Sequence, residues 1–164
     1  MKAEEQDVRR RKWERTVVPI FRVLVGALFL LAGLLKLLAP PEEFAAVIRT
    51  YQVIPEVLID PAALVLPWLE FLSGALLLLG LFTRLMAGIA GMQLLAFLGV
   101  MSLVLVQGIP LEDCGCFGSL GFSETPLQVF LRDLILLGMV VVILRHPAHR
   151  WSLDHWFAGD DPPL

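Results

Sequence analysis

Charge is scarce in this chain. Only 18% of its 164 residues are Asp, Glu, Lys or Arg, against about 25% in ordinary soluble domains. Cysteine is confined to one pair, Cys114 and Cys116, and tyrosine to Tyr51. The histidines sit together in the C-terminal tail, at His146, His149 and His155. Each shortage excludes something. So few charges cannot coat a water-exposed surface or build the basic face that a nucleic acid requires. One cysteine pair cannot supply the soft ligands of a structural zinc site, and the histidines lie far along the chain from it, so no metal site is expected. What is abundant is apolar: 57% of the residues are hydrophobic.

The apolar residues come in runs. A transmembrane helix needs about 20 of them, and residues 17–38, 61–81, 85–106 and 127–144 qualify. The first run is too long for a signal-peptide core and no small-residue cleavage site follows it, so it is expected to remain as an anchor. Lys2, Arg9, Arg10, Arg11, Lys12 and Arg15 precede the first run, Arg84 lies between the second and third, and Arg145 and Arg150 follow the fourth. Four crossings place all of these on one side. Positive charge stays in the cytoplasm, so both termini are expected there, with the loop that carries the cysteines outside.

This reading gives an all-α fold: a polytopic four-transmembrane-helix bundle over residues 16–145, a basic cytoplasmic N-terminus over 1–15 and a cytoplasmic tail over 146–164. Within the first outer loop, Phe44, Val47, Ile48 and Tyr51 follow helical spacing after Pro40 and Pro41. That pattern predicts a short amphipathic helix lying on the outer surface within residues 42–54.

Ionisable residues inside spans are costly and point to function. Gly26, Gly33 and Lys36 follow Arg22 by 4, 11 and 14 residues, so all share one helix face. Pro67, Glu70 and Gly74 repeat the arrangement in the second span, and Ala87, Gly88 and Gly91 place small residues in the third, with Gln93 deeper. Small residues on facing stripes predict close helix approach. Glu70 falls about 14 Å below the outer end of its helix. Lys36 and Arg22 can each snorkel toward their own end of the first span, or bend inward to pair with Glu70; spacing leaves that choice open. The same groups suit packing glue, a proton site or a quinone-headgroup site. No second polar span is evident, which argues against a solute pathway.

The link between the third and fourth spans reads QGIPLEDCGCFGSLGFSET, long for a helical bundle. Bridging Cys114 to Cys116 needs a sharp bend, which Gly115 permits. Such a small ring is a poor staple and a labile exchange partner. Glu112 and Asp113 disfavour a thiolate; Arg132, one turn after Gln128 in the fourth span, opposes them if the loop folds over it. Incidental cysteines and a copper(I) site using both thiolates stay open beside thiol–disulfide exchange.

These residues resemble a known family. FRVLVGALFLLAGLLKL, FAAVIRTYQVIP, PWLEFLSGALLLLG and DCGCFG, the last leading to Arg132 and Asp133, are similar to the MauE/DoxX-like membrane proteins, with the methylamine utilisation MauE branch nearest in pattern. The resemblance covers residues 16–145. It implies a four-helix protein of the bacterial cytoplasmic (inner) membrane, associated with redox maturation of exported proteins such as methylamine dehydrogenase. Cys114 and Cys116 would then trade electrons with a thioredoxin-like or other exported redox partner on the outer face. A mechanistic likeness to quinone-linked disulfide formers, the DsbB and vitamin K epoxide reductase types, makes quinone the cofactor to consider. Those proteins usually carry a C-x-x-C motif and a second cysteine pair, and this chain has neither. The expected activity is that of a thiol–disulfide oxidoreductase with Cys114 and Cys116 as the reactive pair, supported by Gly115, Asp113, Arg132, Glu70, Lys36 and Arg22. The competing reading is a non-catalytic assembly or anchoring subunit of a redox complex. Besides the protein partner, only membrane lipids are expected as contacts, and no nucleic acid.

Overall fold

Every described element is helical, as the apolar periodicity requires. The computed structural model describes the backbone of residues 2–108 and 125–146, with side chains from Thr16 onward within those ranges. The helices are α1 (Lys2–Leu38), α2 (Pro41–Thr50), α3 (Glu56–Leu79), α4 (Thr83–Gln107) and α5 (Pro126–Arg145). α1, α3, α4 and α5 contain the membrane-crossing lengths, and in each only 28% to 39% of the most apolar stretch is buried. Leu64, Leu95, Val106 and Ile135 are among the large apolar side chains facing outward. Water does not tolerate so much contiguous apolar surface, whereas hydrocarbon does. This is a multi-pass membrane protein.

The boundaries follow local chemistry. α3 ends where Gly80 adopts a left-handed φ of 69°. The Leu81 N–H donates to the Leu76 carbonyl and the Gly80 N–H to the Leu77 carbonyl, which is a Schellman stop. α4 ends on Gly108, also left-handed. α5 opens on a capping box: Thr125 Oγ1 accepts from the Gln128 N–H, and the Gln128 side-chain oxygen accepts from the Thr125 N–H at 3.0 Å. Gln128 is therefore a helix cap.

α3 begins at Glu56, five residues before the apolar run. Pro61 and Pro67 both lie inside the helix, where each removes one N–H from the backbone ladder. α1 extends from Lys2 without a break, so the basic N-terminal stretch continues the first span as helix.

α1 packs most extensively on α3 and α4 on α5, and narrower seams join the two pairs. The predicted glycine stripe makes the first contact. A Cβ on Gly33 would lie 2.8 Å from the Pro67 carbonyl oxygen, and one on Gly74 would lie 2.8 Å from the Gly26 carbonyl oxygen. Only residues without a Cβ let these backbones approach so closely. The stripe is narrower in α4 than expected. Gly91 lies against Val140, but Gly88 meets open space and lies off the packing face.

α2 is the short amphipathic helix expected in the first outer loop, and its apolar face packs on the bundle. Phe44, Ala45, Ile48 and Tyr51 are buried with Ile59 and Ala63 of α3, Met101 and Val104 of α4, and Val129 of α5. α2 thus roofs one end of the bundle. Arg49 ties it to the first turns of α3 through Glu56 at 3.3 Å and Asp60 at 2.9 Å. Those exposed pairs contribute little energy, so the apolar contacts hold the roof. A second cluster, including Val25, Leu77, Ala90, Leu94 and Val140, fills the opposite half of the bundle.

Candidate functional site

Polar side chains gather between these two apolar clusters. Lys36 Nζ donates to both carboxylate oxygens of Glu70, at 2.7 and 2.8 Å, and both side chains are 4% exposed. Sequence spacing left Glu70 with two candidate cations; the structure selects Lys36. Helix register explains the choice. Gly33 lies beside Pro67 and Phe71, and Gly26 beside Gly74 and Leu78. In that antiparallel alignment Glu70 is about one turn from Lys36, within reach of a lysine stem. Arg22, one turn ahead of Gly26, lies near the far end of α3, several turns from Glu70, and is itself buried.

Lys36 does not snorkel, although it stands two residues from the end of α1. The roof closes its route. The Phe44 ring of α2 lies 4.7 Å from Nζ, and the Phe97 ring of α4 lies 5.4 Å away. Both are within cation–π range. Lys36 is thus enclosed by a carboxylate and two ring faces drawn from three other helices.

α5 brings the second charged pair. Arg132 Nε and Nη2 both donate to Asp133 Oδ1 at 3.1 Å, with Asp133 at 5% side-chain exposure and Arg132 at 25%. The two pairs share a cavity of about 40 Å³ whose walls include Phe29, Lys36, Glu70, Phe97, Arg132 and Asp133. No second polar span was evident from the sequence, yet charged groups of several spans meet here. α1, α3 and α5 each contribute charge to one layer, and neutralising pairs make that layer tolerable in hydrocarbon.

The sequence singled out Lys36, Glu70 and Arg132, and the structure brings these three together. Arg22 is left out of the group. Asp133, Phe44 and Phe97 were missed as site residues. Asp133 carried a usable signal, an acid inside an apolar run; the phenylalanines carried none, since an aromatic in a span is ordinarily packing. Cys114 and Cys116, with Gly115 and Asp113, lie outside the described residues. Among the described residues no cluster of three His, Cys, Asp or Glu side chains could hold a metal ion.

Gln93 is a further polar group at this depth. Its amide nitrogen and oxygen are buried without a hydrogen-bond partner among the described residues. Leaving such atoms unsatisfied costs about 1–3 kcal/mol. Gln93→Leu is therefore expected to raise the unfolding midpoint of the detergent-solubilised protein, by about 1 kcal/mol of stability. A lower midpoint would mean that the amide is satisfied within the folded bundle.

Comparison with known proteins follows the same boundaries. A family profile described as "Methylamine utilisation protein MauE" matches residues 14–146. The chain is similar to the methylamine utilization protein MauE of Methylophilus methylotrophus, with 30% identity over 131 residues, 79% of this chain and 69% of that protein. It is also similar to the MauE of Paracoccus denitrificans, with 30% identity over 122 residues, 74% of this chain and 65% of that protein. The chain thus spans about two-thirds of the length of these relatives. No solved structure matches it.

Proposed function

We propose, from the premise that this chain belongs to the MauE family, that it is a thiol-redox protein of the bacterial cytoplasmic membrane. Cys114 and Cys116 form its reversible pair, facing outward. The pair supports disulfide or redox maturation of an exported partner, in the methylamine utilisation for which its relatives are named.

The observation that carries this reading is the placement of the loop's two ends. α4 stops on a left-handed Gly108 and α5 starts on the Thr125 capping box. Both stops are at the roofed end, where Val104 and Val129 pack under α2. The segment 109–124, with its Cys-Gly-Cys motif, therefore departs from and returns to one end of the bundle. The start of the apolar part of α1, the α3–α4 link with Arg84 and the end of α5 with Arg145 are at the other end. The excess of Lys and Arg there supports a cytoplasmic assignment for that end, which makes the cysteine end the oxidising one.

Intact cells treated with a membrane-impermeant maleimide test the orientation and redox state together. Mass shifts on both cysteines only after mild reduction are the expected result. Labelling confined to lysed cells would overturn the orientation. The Cys114→Ser/Cys116→Ser variant, at unchanged membrane abundance, is expected to abolish maturation of the partner. Maturation that persists would return the chain to the assembly-subunit reading.

A further inference from the structure

At the end of the bundle away from the roof, two arginines stand at the edge of the hydrocarbon without a counter-charge. Arg84 is in the first turn of α4, and Arg145 is the last residue of α5. Both residues are exposed, and neither side chain has an ionic or hydrogen-bonding partner among the described residues. Their depths match. Gly91 of α4 lies against Val140 of α5. From that contact Arg84 is about 10 Å along α4 and Arg145 about 8 Å along α5, at a rise of about 1.5 Å per residue. α4 and α5 are antiparallel neighbours, so both steps lead to the same end, and the two residues lie within about one turn of each other in depth.

A helix dipole favours acids at its start and cations at its end. Arg145 obeys that rule. Arg84 breaks it, and α4 has no acidic residue in its first turn. Topology does not require the exception. The stretch RRRKWER, from Arg9 to Arg15, already supplies the positive charge that holds this end on its side of the membrane. Arg84 therefore points to an anion outside the chain. Its surroundings define that anion further. Phe82 and Leu85 of α4 and Val141 of α5 are exposed to hydrocarbon beside the two cations. Gly88, one turn deeper than Arg84, and Gly138, two turns deeper than Arg145, meet open space. A ligand that fits is anionic at its head and apolar along its length. A guanidinium matches a phosphate with two parallel N–H donors.

We propose that Arg84 and Arg145 bind the phosphate of an anionic phospholipid, whose acyl chains lie along the outward faces of α4 and α5. Every span touches lipid; the inference here is selection of one charge class at one place. The site is independent of the thiol reading and of which way the bundle faces.

The test uses full-length protein, delipidated in a neutral detergent, with dioleoylphosphatidylglycerol and dioleoylphosphatidylcholine as probes and native mass spectrometry as the readout. Phosphatidylglycerol is expected to bind the first site about tenfold more tightly than phosphatidylcholine. Arg84→Gln/Arg145→Gln is expected to remove that preference. Arg49→Gln, at an exposed arginine of the roofed end, is expected to keep it. Equal affinity of folded wild type for the two lipids overturns the proposal. An unchanged preference in the folded double variant overturns it as well, and would move the anion site to the basic stretch before Thr16. Should the double variant fail to fold, the single variants decide, each expected to lose part of the preference; no loss in either sinks the assignment. Inorganic phosphate at the lipid concentration is expected to leave bound phosphatidylglycerol in place. Displacement by phosphate would reveal a site for a free anion and refute the lipid.

Discussion

Glu70→Leu is expected to destabilise the bundle by about 3–5 kcal/mol, because it leaves the Lys36 ammonium buried without its counter-charge. Lys36→Met should cost a similar amount for the reciprocal reason. The double variant Lys36→Met/Glu70→Leu should recover most of the loss, since removing a buried pair together is often neutral or stabilising. Unfolding midpoints of the four proteins in one detergent form a double-mutant cycle, and a coupling of several kcal/mol is the expected outcome. A double variant as unstable as either single one would show that the cavity depends on these charges for more than their mutual neutralisation. Phe44 enters the same argument. Its ring covers Lys36, so the roof and the ion pair share one side chain.

The second large effect belongs to the glycine contact. In Gly74→Ala the new methyl would meet the Leu30 backbone, with the Gly26 carbonyl oxygen at 2.8 Å. In Gly33→Ala it would meet the Phe71 backbone, with the Pro67 carbonyl oxygen at 2.8 Å. Neither neighbour is a flexible side chain, so α1 and α3 must separate along their whole shared face. A loss of about 3 kcal/mol is expected for each, at the upper end of overpacking costs, with poor recovery of folded protein from membranes. Gly88→Ala, Gly99→Ala and Gly138→Ala meet open space. They should leave the midpoint unchanged or raise it, by at most about 1 kcal/mol from helix propensity. Chromatographic dispersity and thermal midpoints separate the two classes; a milder effect at Gly74 than at Gly99 would refute the contact.

The bilayer explains why so much of the architecture was readable. Only a helix satisfies its own backbone in hydrocarbon, so run length alone gave the four spans. The ends of α4 and α5 shifted by a residue or two, because Gly108 and Thr125 announce themselves. α3 was harder: Glu56 and Asp60 look like loop, and the Arg49 contacts and the roof show why they are helical. The face shared by Arg22, Gly26, Gly33 and Lys36 was legible from spacing, since helix periodicity fixes direction. The partner of Glu70 was not, because pairing depends on the register between α1 and α3, which no local pattern encodes. The direction taken by Lys36 was hidden for a related reason. It depends on Phe44 being folded down over it, a tertiary fact about α2.

The separation of Lys36 and Glu70 by 34 residues has a consequence for biogenesis. α1 enters the membrane before α3 has been made, and it carries its lysine two residues from its end. At that margin a long side chain reaches interfacial water, so insertion avoids the roughly 2.5–3.5 kcal/mol charged at a helix centre. The acid arrives later, to a cation already in place. Only when α3 docks along the glycines and α2 folds across the end is the ammonium drawn out of water. The charge is thus not inserted into the membrane interior; it is enclosed there by assembly.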